Sequence, residues 1–167
     1  MDELNRDSVE DFKNKKKIPL VLVLDNVRSL NNVGSVFRTA DAFMVEKVYL
    51  CGITGAPPHR DIEKTALGAT ESVAWEHVPD TLQLVKRLQA DGFHICAVEQ
   101  AENSTMLNDF RPEPGQPYAF VLGNEVMGVE QEVVSVAEVV LEIPREEQSP
   151  IFFLRLTAFL LIIAAIL

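Results

Sequence analysis

Leu24-Asp25-Asn26-Val27-Arg28-Ser29-Leu30-Asn31-Asn32-Val33-Gly34-Ser35-Val36-Phe37-Arg38-Thr39-Ala40 is the stretch whose reading decides the fold. It opens as the end of an apolar run over 18–24, breaks into polar residues, and resumes with Val33, Val36, Phe37 and Ala40. That i, i+3, i+4, i+7 spacing turns one face of a helix towards a core. Asn31, Ser35 and Arg38 form a second, polar stripe that faces elsewhere. A strand that runs into a polar loop, then into a helix with a charged off-core face, is a natural place for a site.

Outward from this segment, apolar runs and chain breakers alternate. The run over 18–24 is nearly continuous, as in strands buried on both faces of a parallel sheet. The helix should extend from about residue 32 to 44, followed by a strand over 47–51 that Gly52 and Gly55 close. A short helix through Ile62 and Leu67 should break at Gly68, with a third strand over 72–75. Pro79 opens a helix through Leu82, Val85 and Leu88 that stops at Asp91-Gly92, and a fourth strand covers 93–98. Residues 99–116 read as loop-rich, 118–122 as a fifth strand, the surroundings of Val133 as a helical turn, and 139–143 as a sixth strand.

Strands alternating with helices in 167 residues predict one α/β domain, a mostly parallel sheet with helices on both faces. Residues 1–17 read as a polar arm and 18–167 as the domain, with an atypical all-round apolar tail over 151–167. In open sheets of this kind ligands sit beyond the carboxyl ends of strands. The loops at 25–31, 99–104, 123–128 and after 143 are therefore the expected walls of a site.

The formal net charge is −10, which argues against non-specific nucleic-acid binding, since phosphate neutralisation needs lysine and arginine. A local patch is still available in Lys13, Lys15, Lys16 and Lys17, with Arg28 and Arg38 close by in sequence. Cys51 and Cys96 sit in apolar runs without metal spacing or a CxxC pair, so free buried thiols and a reducing cytoplasm are expected. The first residues show no signal-like apolar run. The tail falls short of the roughly 20 apolar residues of a membrane span. His59, His77 and His94 share no ligand spacing, so no metal is expected and structural or surface roles are assigned to them.

A second constellation is Tyr118-Ala119-Phe120-Val121-Leu122-Gly123-Asn124-Glu125-Val126-Met127-Gly128-Val129, a strand followed by two glycines five apart. No Lys-Ser/Thr follows, so it is not a nucleotide P-loop. Taken alone, a turn needing positive φ twice explains it as well as a ligand loop does.

Together the two segments resemble the SpoU (TrmH-like) family of RNA ribose 2′-O-methyltransferases, of the SPOUT class. The resemblance rests on Asn32-x-Gly34-Ser35-x-x-Arg38-Thr39-Ala40, on Leu122-Gly123-Asn124-Glu125-x-x-Gly128, on Ile143-Pro144, and on the intermediate Thr65-Ala66-Leu67-Gly68-Ala69. It implies a deep trefoil knot at the C-terminal end, a homodimer, and S-adenosylmethionine as methyl donor to tRNA or rRNA. Carried over by matching position, Leu122, Gly123, Met127, Gly128, Ile143 and Glu99 would line the cofactor. Asn32 and Glu125 would complete the site near the ribose, and Arg38 would be catalytic. Arg28, Asn31, Lys16 and Lys17 would meet the RNA. A structural ion pair of Arg38 with Asp25 or Asp41 is the competing role for that arginine.

The pattern departs from the family after Pro144. A loop containing Ser-Leu-Asn-Val-Ser should open the last helix, and residues 145–167 do not contain it. Glu146-Glu147-Gln148 read in a shifted frame can yield Gly-Thr-Lys, a plausible opening for that loop, so a frameshifted tail is one explanation and a genuine tail that leaves the third motif missing is the other.

Overall fold

The computed structural model describes residues 16–143. The arm up to residue 15, Pro144, the apolar tail and the C-terminal knot expected from the resemblance lie outside the described residues. Within them the chain runs β1 (Ile18–Asp25), α1 (Leu30–Ala42), β2 (Val45–Cys51), α2 (Arg60–Ala66), α3 (Ala69–Ser72) and β3 (Trp75–Val78). It continues with α4 (Thr81–Ala90), β4 (His94–Val98), β5 (Thr105–Met106), a 3-10 turn (Leu107–Asp109), β6 (Tyr118–Leu122), α5 (Gln131–Val136) and β7 (Val139–Glu142).

The strands form one sheet in the order β3-β2-β1-β6-β4-β7-β5, every pairing parallel. Alternation along β1 shows why both faces must be covered. Leu20, Leu22 and Leu24 enter one core with Val33, Val36 and Phe37 of α1 and Ile62 and Ala66 of α2. Val21 and Val23 enter the other, with Leu84, Val85 and Leu88 of α4 and Val133 of α5. The helices lie on both faces, as the near-continuous apolar strands require. Among the described residues no helix is long and apolar enough to cross a membrane.

Helix α1 begins where Ser29 Oγ accepts the Asn32 amide at 3.2 Å, an N-cap that satisfies one of the free first-turn donors. Gly34 lets α1 and α2 approach closely. A Cβ at that position would lie 2.1 Å from Thr65 Oγ1 and 2.2 Å from the Ile62 carbonyl oxygen. Thr65 Oγ1 also donates to the Asn31 carbonyl at 3.0 Å.

Two expectations are corrected. The third strand is Trp75–Val78 rather than 72–75, and Ala69–Ser72 is a helical turn. The register against β2, Val48 to Trp75 through Cys51 to Val78, fixes this edge strand. Ser72 Oγ is meanwhile held by Asp41 Oδ1 at 2.5 Å. The sheet also has seven strands and not six, because β5 adds a two-residue strand beside β7 within the loop-rich 99–116 stretch.

Candidate active site

β1 and β6 are neighbours at the centre of the sheet, yet they exit to opposite faces. β1 leads into α1 over the first core and β6 leads towards α5 over the second. A crevice therefore opens beyond their carboxyl ends, the usual ligand position in an open parallel sheet. On the β6 side of this point, beyond the carboxyl ends of β6, β4 and β7, lies a cleft of about 230 Å3 lined by Val98, Glu99, Gln100, Gly123, Asn124, Glu125, Val126, Gly128, Glu142 and Ile143.

The 123–128 loop is built to hold its shape. Asn124 and Gly128 exchange two backbone hydrogen bonds of 2.9 Å, and Asn124 Oδ1 accepts the amides of Val126 and Met127 at 2.9 and 3.0 Å. Gly128 has φ +73, and a Cβ there would fall 2.0 Å from Glu99 Oε2. That carboxylate accepts the Val129 amide at 2.8 Å, so glycine is required for both conformation and space. On the opposite rim Glu142 accepts from Ser104 Oγ at 2.6 Å and from Gln100 Nε2 at 3.2 Å.

Glu125 joins this loop to the start of α1. Its carboxylate accepts the Arg28 and Ser29 amides at 3.0 Å each and Asn32 Nδ2 at 2.9 Å. Burial pushes the carboxyl up, but the amide donors from Arg28, Glu125 itself and Ser29, with the Asn32 side chain, outweigh it. The group is held below its ordinary 4.5. A negative charge at the positive end of a helix is also favourable in itself.

Beneath the crevice, Asp25 is fully buried and accepts from Thr81 Oγ1 at 2.6 Å, Asn26 Nδ2 at 3.0 Å and the Glu130 amide at 2.8 Å. The Asp25 charge, with some burial, raises the Glu130 carboxyl above its usual range. Cys51 and Cys96 are buried free thiols, as expected; desolvation pushes Cys51 up to about 12 and raises Cys96 as well. Among the described residues no group of three or more His, Cys, Asp or Glu could hold a metal.

The structure brings Glu99, Gly123, Glu125, Gly128 and Ile143 to the cleft wall. Leu122 is instead buried in the core at 1% exposure and Met127 stands in solvent at 83%. Asn32 reaches the cleft through Glu125. Arg38 is exposed on α1, and among the described residues it makes no ion pair. Asp25 and Asp41, its suggested structural partners, are engaged by Thr81, Asn26 and Ser72. Arg28 is exposed beside Glu125, and Asn31 is exposed one helical turn before Ser35, whose Oγ donates to the Asn31 carbonyl.

Lys16 and Lys17 do not join this group. They precede β1, whose eight residues span about 26 Å, and Lys17 lines a separate cavity with Glu46, Ser72 and Trp75. The histidines have local structural roles: His59 Nδ1 accepts the Asp61 amide at the start of α2, His77 contacts the Gly52 carbonyl, and His94 packs on Tyr118. The sequence reading passed over Asn26, Asn124, Thr81 and Gln100. A lone asparagine directly after a strand, where positive φ is tolerated, is the one signal that could have marked Asn26.

Comparison with known proteins gives the arrangement its context. Residues 19–160 match the model of the SpoU rRNA Methylase family. The 23S rRNA (guanosine-2'-O-)-methyltransferase RlmB of Vibrio parahaemolyticus is 29% identical over 142 residues, 85% of this chain and 56% of that protein. The chain spans about half the length of the curated relatives it matches. Among solved structures, the A. aeolicus TrmH/SpoU tRNA modifying enzyme superposes with a TM-score of 0.78 at 25% identity, covering 93% of this chain and 78% of that one. The SpoU methyltransferase AviRb from Streptomyces viridochromogenes, solved with AdoMet, shares the fold with a TM-score of 0.76 at 20% identity, covering 93% and 63%. With the family match running from β1 through the glycine loop to the end of the described sheet, the chain belongs to the SpoU rRNA Methylase family.

Proposed function

We propose that this chain is an S-adenosylmethionine-dependent RNA 2′-O-ribose methyltransferase acting on tRNA, as a homodimer in the cytoplasm. The observation that carries the reading is the Glu125 junction, which fixes the start of the Arg38-bearing helix against the rim of the cleft. The donor set suits the cofactor. Carboxylates of Glu99, Glu125 and Glu142 stand beside the apolar Val98, Val126 and Ile143. Carboxylates favour a cationic sulfonium and ribose hydroxyl donors and repel phosphate, while apolar walls accept an adenine face. When bound, S-adenosylmethionine supplies an electrophilic methyl group.

The chain's own work is then alignment and charge. Glu99 and the 123–128 loop orient the donor, and Asn32 is aimed by Glu125 towards the same rim. Arg38 carries donors only, so it is suited to polarising a ribose 2′-hydroxyl and gripping an adjacent phosphate rather than to accepting a proton. The hydroxyl proton leaves to water or to the neighbouring phosphate. The tRNA reading is supported by the likeness to the tRNA modifying enzyme named above, and the 23S rRNA relative makes rRNA the competing substrate.

A second reading, an RNA- or protein-binding dimer of weakened catalytic power on the same scaffold, is favoured by the absence of Ser-Leu-Asn-Val-Ser from 145–167. Calorimetric titration with S-adenosylmethionine separates the two. Saturable binding supports the enzyme, and no binding at millimolar cofactor supports the scaffold.

A further inference from the structure

Asn26 is the residue on which the exits of three strands converge. It follows β1 with φ +53, a left-handed conformation that asparagine tolerates better than most residues. The turned backbone aims its carbonyl at Asn124 Nδ2, 2.8 Å away in the loop after β6. Its side-chain Oδ1 accepts the Ile53 amide after β2 at 3.1 Å, and its amide donates to the Cys51 carbonyl at 3.3 Å. Its Nδ2 is shared between Asp25 Oδ1 at 3.0 Å and Glu130 Oε1 at 2.7 Å, standing between two carboxylates. The β2 exit is shaped around this amide: a Cβ on Gly52 would lie 2.1 Å from Asn26 Oδ1.

Asn124 carries this anchorage to the cleft. Its Nδ2 is spent on Asn26, while its Oδ1 holds the Val126 and Met127 amides of the glycine loop. We propose that Asn26 is a positioning residue for the cleft, setting the 123–128 loop in its ligand-receiving place by clasping the exits of β1, β2 and β6. This rests on the reading of the cleft as the S-adenosylmethionine site. Asn26 lines no wall of the cleft, so it acts through Asn124.

Asn26→Asp is the discriminating change. It keeps size and the acceptor for Ile53 but replaces the shared donor with a carboxylate oxygen facing Asp25 and Glu130. Other titratable groups around this point are Cys51 on β2, Asp80 before α4 and Glu132 on α5. The new carboxylate should be tolerated only once the cluster takes up a proton. The test is calorimetric titration of the full chain with S-adenosylmethionine at about pH 7.5 and about pH 5.5, with circular dichroism as a check on folding.

Asn26→Asp should bind about tenfold or more weakly than the native chain at the higher pH, with the ratio recovering at the lower. Asn26→Ala should be weakened about equally at both. Asn124→Asp keeps the acceptor for Val126 and Met127, removes the donor to Asn26 and adds a negative charge at the cleft wall, and should weaken binding about tenfold even if the Asn26 variants do not fold. Native affinity in a folded Asn26 variant, or in Asn124→Asp, overturns the proposal. No binding by the native chain overturns the cofactor reading itself and removes the basis of this one, an outcome distinct from either.

Discussion

Replacing Glu125 by alanine removes three acceptor contacts that tie the glycine loop to α1, from the Arg28 and Ser29 amides and Asn32 Nδ2. Hydrogen bonds to a charged group are worth about 1.5–3 kcal/mol each when shielded from water. Glu125 is exposed, so solvent competes for its carboxylate and the released amides. The exposed helix-terminus and capping scales, about 0.3–1 and about 1 kcal/mol, apply instead. A loss of about 1–1.5 kcal/mol follows, equivalent to about tenfold in a local opening constant. Hydrogen exchange followed by NMR reads it residue by residue. In Glu125→Ala the Arg28 and Ser29 amides, which have no other acceptor among the described residues, should exchange about tenfold faster. Central β6 amides such as Val121 should be far less affected. The sign with pH is fixed too. Because the Glu125 carboxyl is held below its ordinary value, its contribution is present above about pH 4.5 and is lost as pH falls through the lowered value. The difference between native and variant chains should close there. Unchanged protection of Arg28 and Ser29 in the variant at neutral pH would refute the junction.

Other consequences follow from the same contacts. Arg38→Ala should abolish methyl transfer while calorimetry shows S-adenosylmethionine binding within a few-fold of native; loss of binding would mean the arginine supports the cofactor and not the substrate. Gly34→Ala should cost about 1–3 kcal/mol in urea unfolding, since the added methyl meets the Ile62 carbonyl oxygen and Thr65 Oγ1, and a neutral result would mean α1 and α2 can separate freely. Phe37→Ala, at a fully buried position, should cost about 3–5 kcal/mol in the same assay. Cys51 and Cys96 should resist a thiol reagent at neutral pH until denaturant is added, because burial keeps the thiolate scarce; rapid labelling of the native chain would contradict their placement.

What could be read in advance depended on whether the deciding interaction was local. β6 was read to the residue because all five of its side chains are buried and Pro117 and Gly123 bound it. The inward face of α1 was equally plain from its spacing. β3 was misplaced because an edge strand carrying Glu76 and His77 has little apolar signal, and its limits come from pairing with β2. β5 is two residues held by β7 alone. At the site, no local pattern joins Glu125 to Asn32 across 93 positions; the pair came into view through the family resemblance. Asn26 escaped notice because its role lies in backbone direction. For Lys16 and Lys17, closeness in sequence to Arg28 becomes the length of a strand in space, a separation that no local pattern shows.

The proposed reaction is delivery of a methyl group from this cleft to a ribose hydroxyl of RNA. The direct measurement is transfer of radiolabelled methyl from S-adenosylmethionine by the full chain to unmodified tRNA, followed by alkaline hydrolysis. A 2′-O-methyl group blocks cleavage of the adjacent phosphodiester, so the label should appear in an alkali-resistant dinucleotide and be absent with Arg38→Ala. Label released in mononucleotides, or no transfer to tRNA or rRNA by a chain that binds the cofactor, would contradict the account.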